Sequence, residues 1–314
     1  MQAITATESG PRLNTDHPAP SLSAADATCR VLHALITDAD RAAAASAFRG
    51  VLGSCFVATV EHPGASALKP GARIVANPAV PCGKCDLCRS GLSLHCADRA
   101  ILGIRGRDGG LATTVAVPAA NLFPVPDSVD PVHALFAVPV AAAVHAAHIT
   151  RLEGKAFVTV LGDGLMGLLC AQVMARLNAS VRLLGDNPDR FNLCEKWGVK
   201  HRHRDEVGRR QDQDVVIETT GSPVSLDLAM HLARPRGKIV MTSPRWQQGP
   251  AIDLAPIVAA ELEVIGARTG PTADGLAAIA ANRIDLAALI TQRITIDQAP
   301  AALKRPDLAP IVTL

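Results

Sequence analysis

The chain has 314 residues, 48% of them hydrophobic and 19% charged, which is a globular composition with length enough for two domains. Lysine and arginine total 31 against 29 aspartates and glutamates, and a net charge of +2 gives no nucleic-acid footprint. There is no tyrosine, which excludes every mechanism that needs a tyrosine acid.

The longest uninterrupted apolar run, 134–144, contains Pro139 and falls short of the roughly 18 residues of a bilayer span, so no transmembrane helix and no membrane partner are expected. The opening stretch MQAITATESGPRL has neither a basic region nor an apolar core, so no signal peptide is expected and a reducing cytoplasm is the default compartment.

Up to about residue 130 short apolar runs (30–36, 50–60, 72–80, 111–117) are punctuated by glycine and proline, and they predict an irregular, mostly β domain. From Gly154 strands and helices alternate. Strands are expected at 157–161, 181–184, 214–217, 238–242 and 262–265, with helices at 168–177 and around 225–233. That alternation implies a doubly wound parallel sheet, so the fold class is α/β. The basic cluster 201–210 is interrupted by Asp205 and Glu206 and reads as a solvated loop. After Gly270 an alanine-rich helix is expected at 273–282, and periodicity alone does not place the rest of the tail.

The strongest chemical signal is Cys82, Cys85, Cys88 and Cys96, spaced C-x2-C-x2-C-x7-C in PCGKCDLCRSGLSLHC. Four thiolates with no open position make the closed tetrahedral shell of a structural zinc, one per chain. Disulfides fit poorly with a chain that has no export signal, and the common iron–sulfur spacings differ from this one. Cys29, Cys55, Cys170 and Cys194 are scattered, and three of them read as small core residues. His145 and His148 lie three apart with no third ligand in reach by sequence, and they read as packing or surface positions.

The second signal is GDGLMG, a G-x-G-x-x-G that follows the strand FVTVL and opens the helix LLCAQVMARL. Gly162 permits the turn, Gly164 lets a pyrophosphate approach the backbone, and Gly167 allows close packing of helix on strand. The candidate cofactor-binding residues are Gly162, Gly164, Leu165, Met166, Gly167, Gly185, Asp186, Arg190 and Thr220. An acid is expected about 20 residues on, at the end of the second strand. Asp186 in that role favours NAD, whereas Gly185 there leaves room for the 2′-phosphate of NADP; both remain open.

A cysteine lobe followed by this fingerprint resembles the zinc-containing medium-chain alcohol dehydrogenase family. The resemblance covers nearly the whole chain: GVLGSCFVATVE, GARIVANPAVPCGKCDLC, GRDGGLATTVAVP and DVVIETTGSP are each similar to a family segment. It implies a GroES-like β domain (1–128) carrying the zinc lobe, a Rossmann domain (129–268), a segment returning to the first domain (269–314), and a cofactor cleft between the two. It also implies pairing of edge strands at 262–265 into a homodimer or homotetramer, with a nicotinamide dinucleotide and a small-molecule substrate as partners.

The family's catalytic zinc is held by a Cys before T/S-D, the His and Glu of GHE, and an acid before the Rossmann domain. At these places the chain has Leu35, Ser54, Cys55 and Val138. Leucine and valine offer no lone pair, and one thiolate is not a site. Thr37 is left as the hydroxyl of a proton relay and Asp38 as a carboxylate behind the missing histidine, the plainer alternative being that both make only turn hydrogen bonds. The expected function is an NAD(P)-dependent oxidoreductase working without catalytic zinc on a C=C, C=N or C=O group. The alternative is an inactive dinucleotide-binding paralogue acting as sensor or scaffold.

Overall fold

The structure is a computed structural model that describes residues 1–314 except Leu22, Glu153 and Asn178. The chain divides into two compact units, Met1–Val138 with Leu286–Leu314, and Pro139–Asp285. The division falls inside the helix Ala137–Thr150, and the short helix Pro131–Ala134 packs on the strand Cys55–His62 within the first unit.

In the first unit a seven-stranded sheet runs in the order Leu122–Pro124, Arg73–Ala76, Cys55–His62, Asp26–Leu35, Pro310–Thr313 and Gln292–Thr295, with Thr114–Pro118 also paired to Asp26–Leu35. The predicted apolar runs supply much of its core: Val31, Phe56, Ile74, Leu111 and Val115 are all at most 2% exposed. The tail that periodicity left unplaced completes this sheet, since Ile311 pairs opposite Leu35 in an antiparallel ladder. On the other side of the same strand Leu35 pairs opposite Cys55 and Ala34 opposite Phe56. Register alone therefore brings together two segments twenty residues apart.

In the second unit six parallel strands run in the order Lys200–His203, Ser180–Gly185, Phe157–Leu161, Gln213–Glu218, Ala233–Met241 and Glu263–Gly266. This is the doubly wound order in which two halves diverge from the first strand, and ligands of such sheets sit beyond the carboxyl ends of the strands where the order reverses. Val158 and Val160 are fully buried, as a strand covered on both faces requires. The reading of 201–210 as a loop is corrected at its start: Lys200–His203 is the edge strand, and His201 is 5% exposed. Its composition is polar because an edge strand buries little of its length, so no apolar run betrays it. Among the described residues no helix is long and apolar enough to cross a membrane.

Candidate functional site

All eight cysteines are free thiols, and four of them converge. Cys85 begins the turn of helix Asp86–Arg89, which carries Cys88 on the same side, while Cys96 closes the short helix Ser93–His95. The sulfur atoms of Cys82, Cys85, Cys88 and Cys96 lie within 4.8 Å of one another. Cys85–Cys88 is 3.5 Å, Cys85–Cys96 3.8 Å and Cys82–Cys88 4.0 Å. A tetrahedral zinc with bonds of about 2.3 Å would set sulfur–sulfur edges of about 3.8 Å, so the cluster has the donors and the size of a structural zinc site. The backbone N–H groups of Lys84 and Cys85 pull the Cys82 thiol down to about 6, while burial and the neighbouring thiols push Cys88 up to about 12. Among the described residues this is the one group of three or more His, Cys, Asp or Glu close enough to share a metal, and His145 and His148 on the helix Ala137–Thr150 belong to no such group.

The segments that would carry a second zinc in the family are closed by packing and hydrogen bonds. Leu35 is fully buried, and Ser54 and Cys55 are 3% and 4% exposed. Thr37 caps the helix Asp38–Ala44: its backbone N–H and its hydroxyl both donate to Asp40 Oδ2, at 2.8 and 2.6 Å. Asp40 Oδ1 in turn accepts the N–H of Ser54 at 2.8 Å. Asp40, which the sequence reading passed over, is thus the buried carboxylate that ties the two segments together. Asp38 is exposed and pairs with Arg41 at 2.8 Å. Burial pushes the Asp40 carboxyl up against the opposing pull of its Thr37 and Ser54 donors, and burial together with Asp40 pushes the Cys55 thiol up. Cys29, Cys170 and Cys194 are buried and pushed up to about 12, the behaviour of inert core thiols.

The fingerprint turn sits at the carboxyl end of Phe157–Leu161. Gly162 has φ +100°, a left-handed conformation that favours glycine, and a Cβ on Gly167 would overlap the carbonyl of Gly162. Gly164 caps the helix Leu165–Arg176, and a Cβ placed there would meet nothing within 4 Å. The helix N-terminus is therefore open for a ligand's pyrophosphate to approach its amides. Leu165 is buried and Met166 half-buried at the helix start. Thr220 lies across the turn, where its methyl and the Thr219 hydroxyl would be struck by any Cβ on Gly162.

Thr220 is held by the fully buried Glu218, whose carboxylate accepts the Thr220 N–H at 2.7 Å, the Thr220 hydroxyl and the Gly221 N–H. Arg190 reaches back to the turn, donating to the Asp163 carbonyl and standing 3.4 Å from its carboxylate. Gly185 ends the second strand, and Asp186 next to it is exposed and paired with Arg204 at 2.9 Å. Asp40, Glu218 and Asp163 share one reason for having been missed. Each accepts at least two backbone N–H groups, which carry no mark in a sequence, although the spacing Thr37-x-x-Asp40 is a capping-box pattern and could have pointed to the first.

Residues 24–127 match the alcohol dehydrogenase GroES-like domain family. A zinc-type alcohol dehydrogenase-like protein of Haemophilus influenzae is 28% identical over 248 residues, 74% of this chain and 71% of that protein. A sorbitol dehydrogenase of Bacillus subtilis is 26% identical over 252 residues, 76% of this chain and 71% of its own length. Among solved structures, a zinc-binding dehydrogenase of Sinorhizobium meliloti 1021 bound to NADP superposes with a TM-score of 0.88 at 26% identity, covering 100% of this chain and 99% of that one. Galactitol-1-phosphate dehydrogenase of Escherichia coli has the same fold, with a TM-score of 0.90 and full coverage of both chains at 20% identity. Residues 24–127 thus belong to the alcohol dehydrogenase GroES-like domain family, and the chain as a whole is similar in sequence and fold to zinc-type medium-chain alcohol dehydrogenases.

Proposed function

We propose that the protein is an NAD(P)-dependent oxidoreductase that keeps the family's structural zinc and transfers hydride to a C=C, C=N or C=O group without a catalytic one. The observation that carries this reading is the contrast between an open fingerprint turn and a closed metal position. Gly164 leaves the helix N-terminus bare, whereas Leu35 and Cys55 meet as buried cross-strand neighbours. A bound nicotinamide supplies or accepts the hydride; conjugated alkenes and iminium ions accept one without a Lewis acid. The chain's own contribution is to hold the dinucleotide at the turn and to fix Thr220 through Glu218 beside it. The cysteine lobe would hold its zinc as a structural ion, in keeping with a reducing, cytoplasmic setting for its thiols. The strand Glu263–Gly266 ends the parallel sheet with Val264 41% exposed, and this edge would pair with a second copy in a homodimer.

Metal analysis should return about one zinc per chain, and NAD(P)H titration should show saturable binding. Turnover of a panel of C=C and C=N substrates that a chelator leaves unchanged supports the reading. Chelator-sensitive oxidation of simple alcohols would overturn it, and dinucleotide binding with no turnover across the panel would favour an inactive sensor or scaffold.

A further inference from the structure

In dinucleotide-binding sheets the acid that receives the adenosine ribose 2′-hydroxyl stands at the end of the second strand. Here that strand, Ser180–Gly185, ends in glycine, and the space its side chain would fill is taken. A Cβ built on Gly185 would run into the carboxyl group of Asp163, which comes from the fingerprint turn itself. Asp163 Oδ2 accepts two consecutive backbone N–H groups, from Asp186 at 3.1 Å and Asn187 at 2.8 Å. Successive N–H groups aimed at one point form a cradle for an anion, and in this chain the anion is the protein's own. Arg190 stands 3.4 Å from Oδ1 and the buried His201 3.9 Å from Oδ2, while Arg204 is already paired with Asp186 at 2.9 Å. Arg190 and Arg204 thus each have a carboxylate beside them before any ligand arrives.

We propose that Asp163 sets the cofactor choice, placing its carboxylate where the second-strand acid would act and so selecting NAD over NADP. The inference rests on the reading that the turn binds a dinucleotide. A ribose 2′-hydroxyl can donate to this carboxylate. A 2′-phosphate can neither donate to it nor use the two N–H groups it occupies, and it meets a like charge. The choice separates this chain from the NADP-bound Sinorhizobium protein.

The test is equilibrium titration of the full-length protein with NADH and with NADPH, followed by nicotinamide fluorescence. The unmodified protein should bind NADH at least tenfold more tightly. Asp163→Asn removes the charge and should tighten NADPH binding about tenfold, bringing the two affinities close together, because Arg190 then faces an incoming phosphate without a competing carboxylate. Should that variant fold poorly, the double variant Asp163→Gly with Gly185→Asp keeps the question open to an answer, since it moves the acid back to the strand end and should restore the preference for NADH. NADPH binding as tight as NADH in the unmodified protein, or an unchanged ratio in Asp163→Asn, overturns the inference alone. Binding of neither dinucleotide by the unmodified protein overturns the dinucleotide reading and this inference with it.

Discussion

In the proposed reading two places in the first unit stand at the family's two metal positions, and they are built in opposite ways. At the cysteine lobe the sulfur atoms of four cysteines crowd within 4.8 Å of one another. At the other, Leu35 lies against Cys55 in the sheet, and Asp40 spends its two oxygens on the donors of Thr37 and Ser54. The first arrangement is complete only with an ion, because four sulfurs with nothing between them gain little from one another. The second is complete as it stands, since each buried carboxylate oxygen has a donor and the leucine has apolar neighbours. In the proposed reading the lost metal position leaves no hole, because packing together with one carboxylate fills it.

The largest effect expected from this contrast is on removing metal from the lobe. Structural zinc contributes on the order of 10 kcal/mol of apparent binding energy to the segment it organises. Cys88→Ser should therefore lose the zinc, and hydrogen exchange should show 82–96 opening while the parallel sheet of the second unit keeps its protection. A variant that retains one zinc per chain would break the comparison.

At the other site the damage should come from the carboxylate and not from any metal. Asp40→Ala leaves the buried N–H of Ser54 and the N–H and hydroxyl of Thr37 without their acceptor, a cost of at least about 3 kcal/mol if each orphaned group costs about 1 or more. Denaturant unfolding should show the loss, and chelator should leave its size unchanged. Leu35→Ala should cost about 3 kcal/mol, since the side chain is fully buried and the truncation leaves a cavity between Cys55 and Ile311. A cost below about 1 kcal/mol would mean that the position is a vacant socket and not a packed one.

The legibility of the sequence divides along the same line. Cysteines at fixed spacing and glycines around a turn announced themselves, because few other residues do their work and the chemistry fixes their separation. The parallel strands were legible because both of their faces are buried, as at Val158 and Val160, whereas Lys200–His203 hid as a polar edge. The carboxylates that organise the sites were not legible. Asp38 and Asp186 stand at the motif positions of the family the chain resembles, yet both are exposed and paired with arginines, at 2.8 and 2.9 Å. Asp40 and Asp163 do the tying because backbone amides from distant segments meet at them, and such a meeting exists only after the sheet registers are set.

The smallest effect is one of sign. Burial raises the Asp40 carboxyl above its usual value, so the folded protein holds that proton more tightly than the unfolded chain does. The stability it contributes is fully present below the unfolded value of 3.8 and is lost as pH rises through the folded one. Asp26, in the same unit, provides the opposite case. Burial pushes its carboxyl up, but the donors of Ser23 and Arg107, the latter at 2.7 Å, outweigh this and leave it lowered. Its contribution is present above 3.8 and disappears as pH falls through the lower folded value. Asp40→Asn and Asp26→Asn each delete one of these titrations. Measured between neutral pH and pH 3, the advantage of the unmodified protein over Asp40→Asn should widen on acidification, while its advantage over Asp26→Asn should shrink. If the two differences move in the same direction, Asp40 is not the tightly enclosed carboxylate that closes the second site, and the contrast with the open cysteine lobe fails.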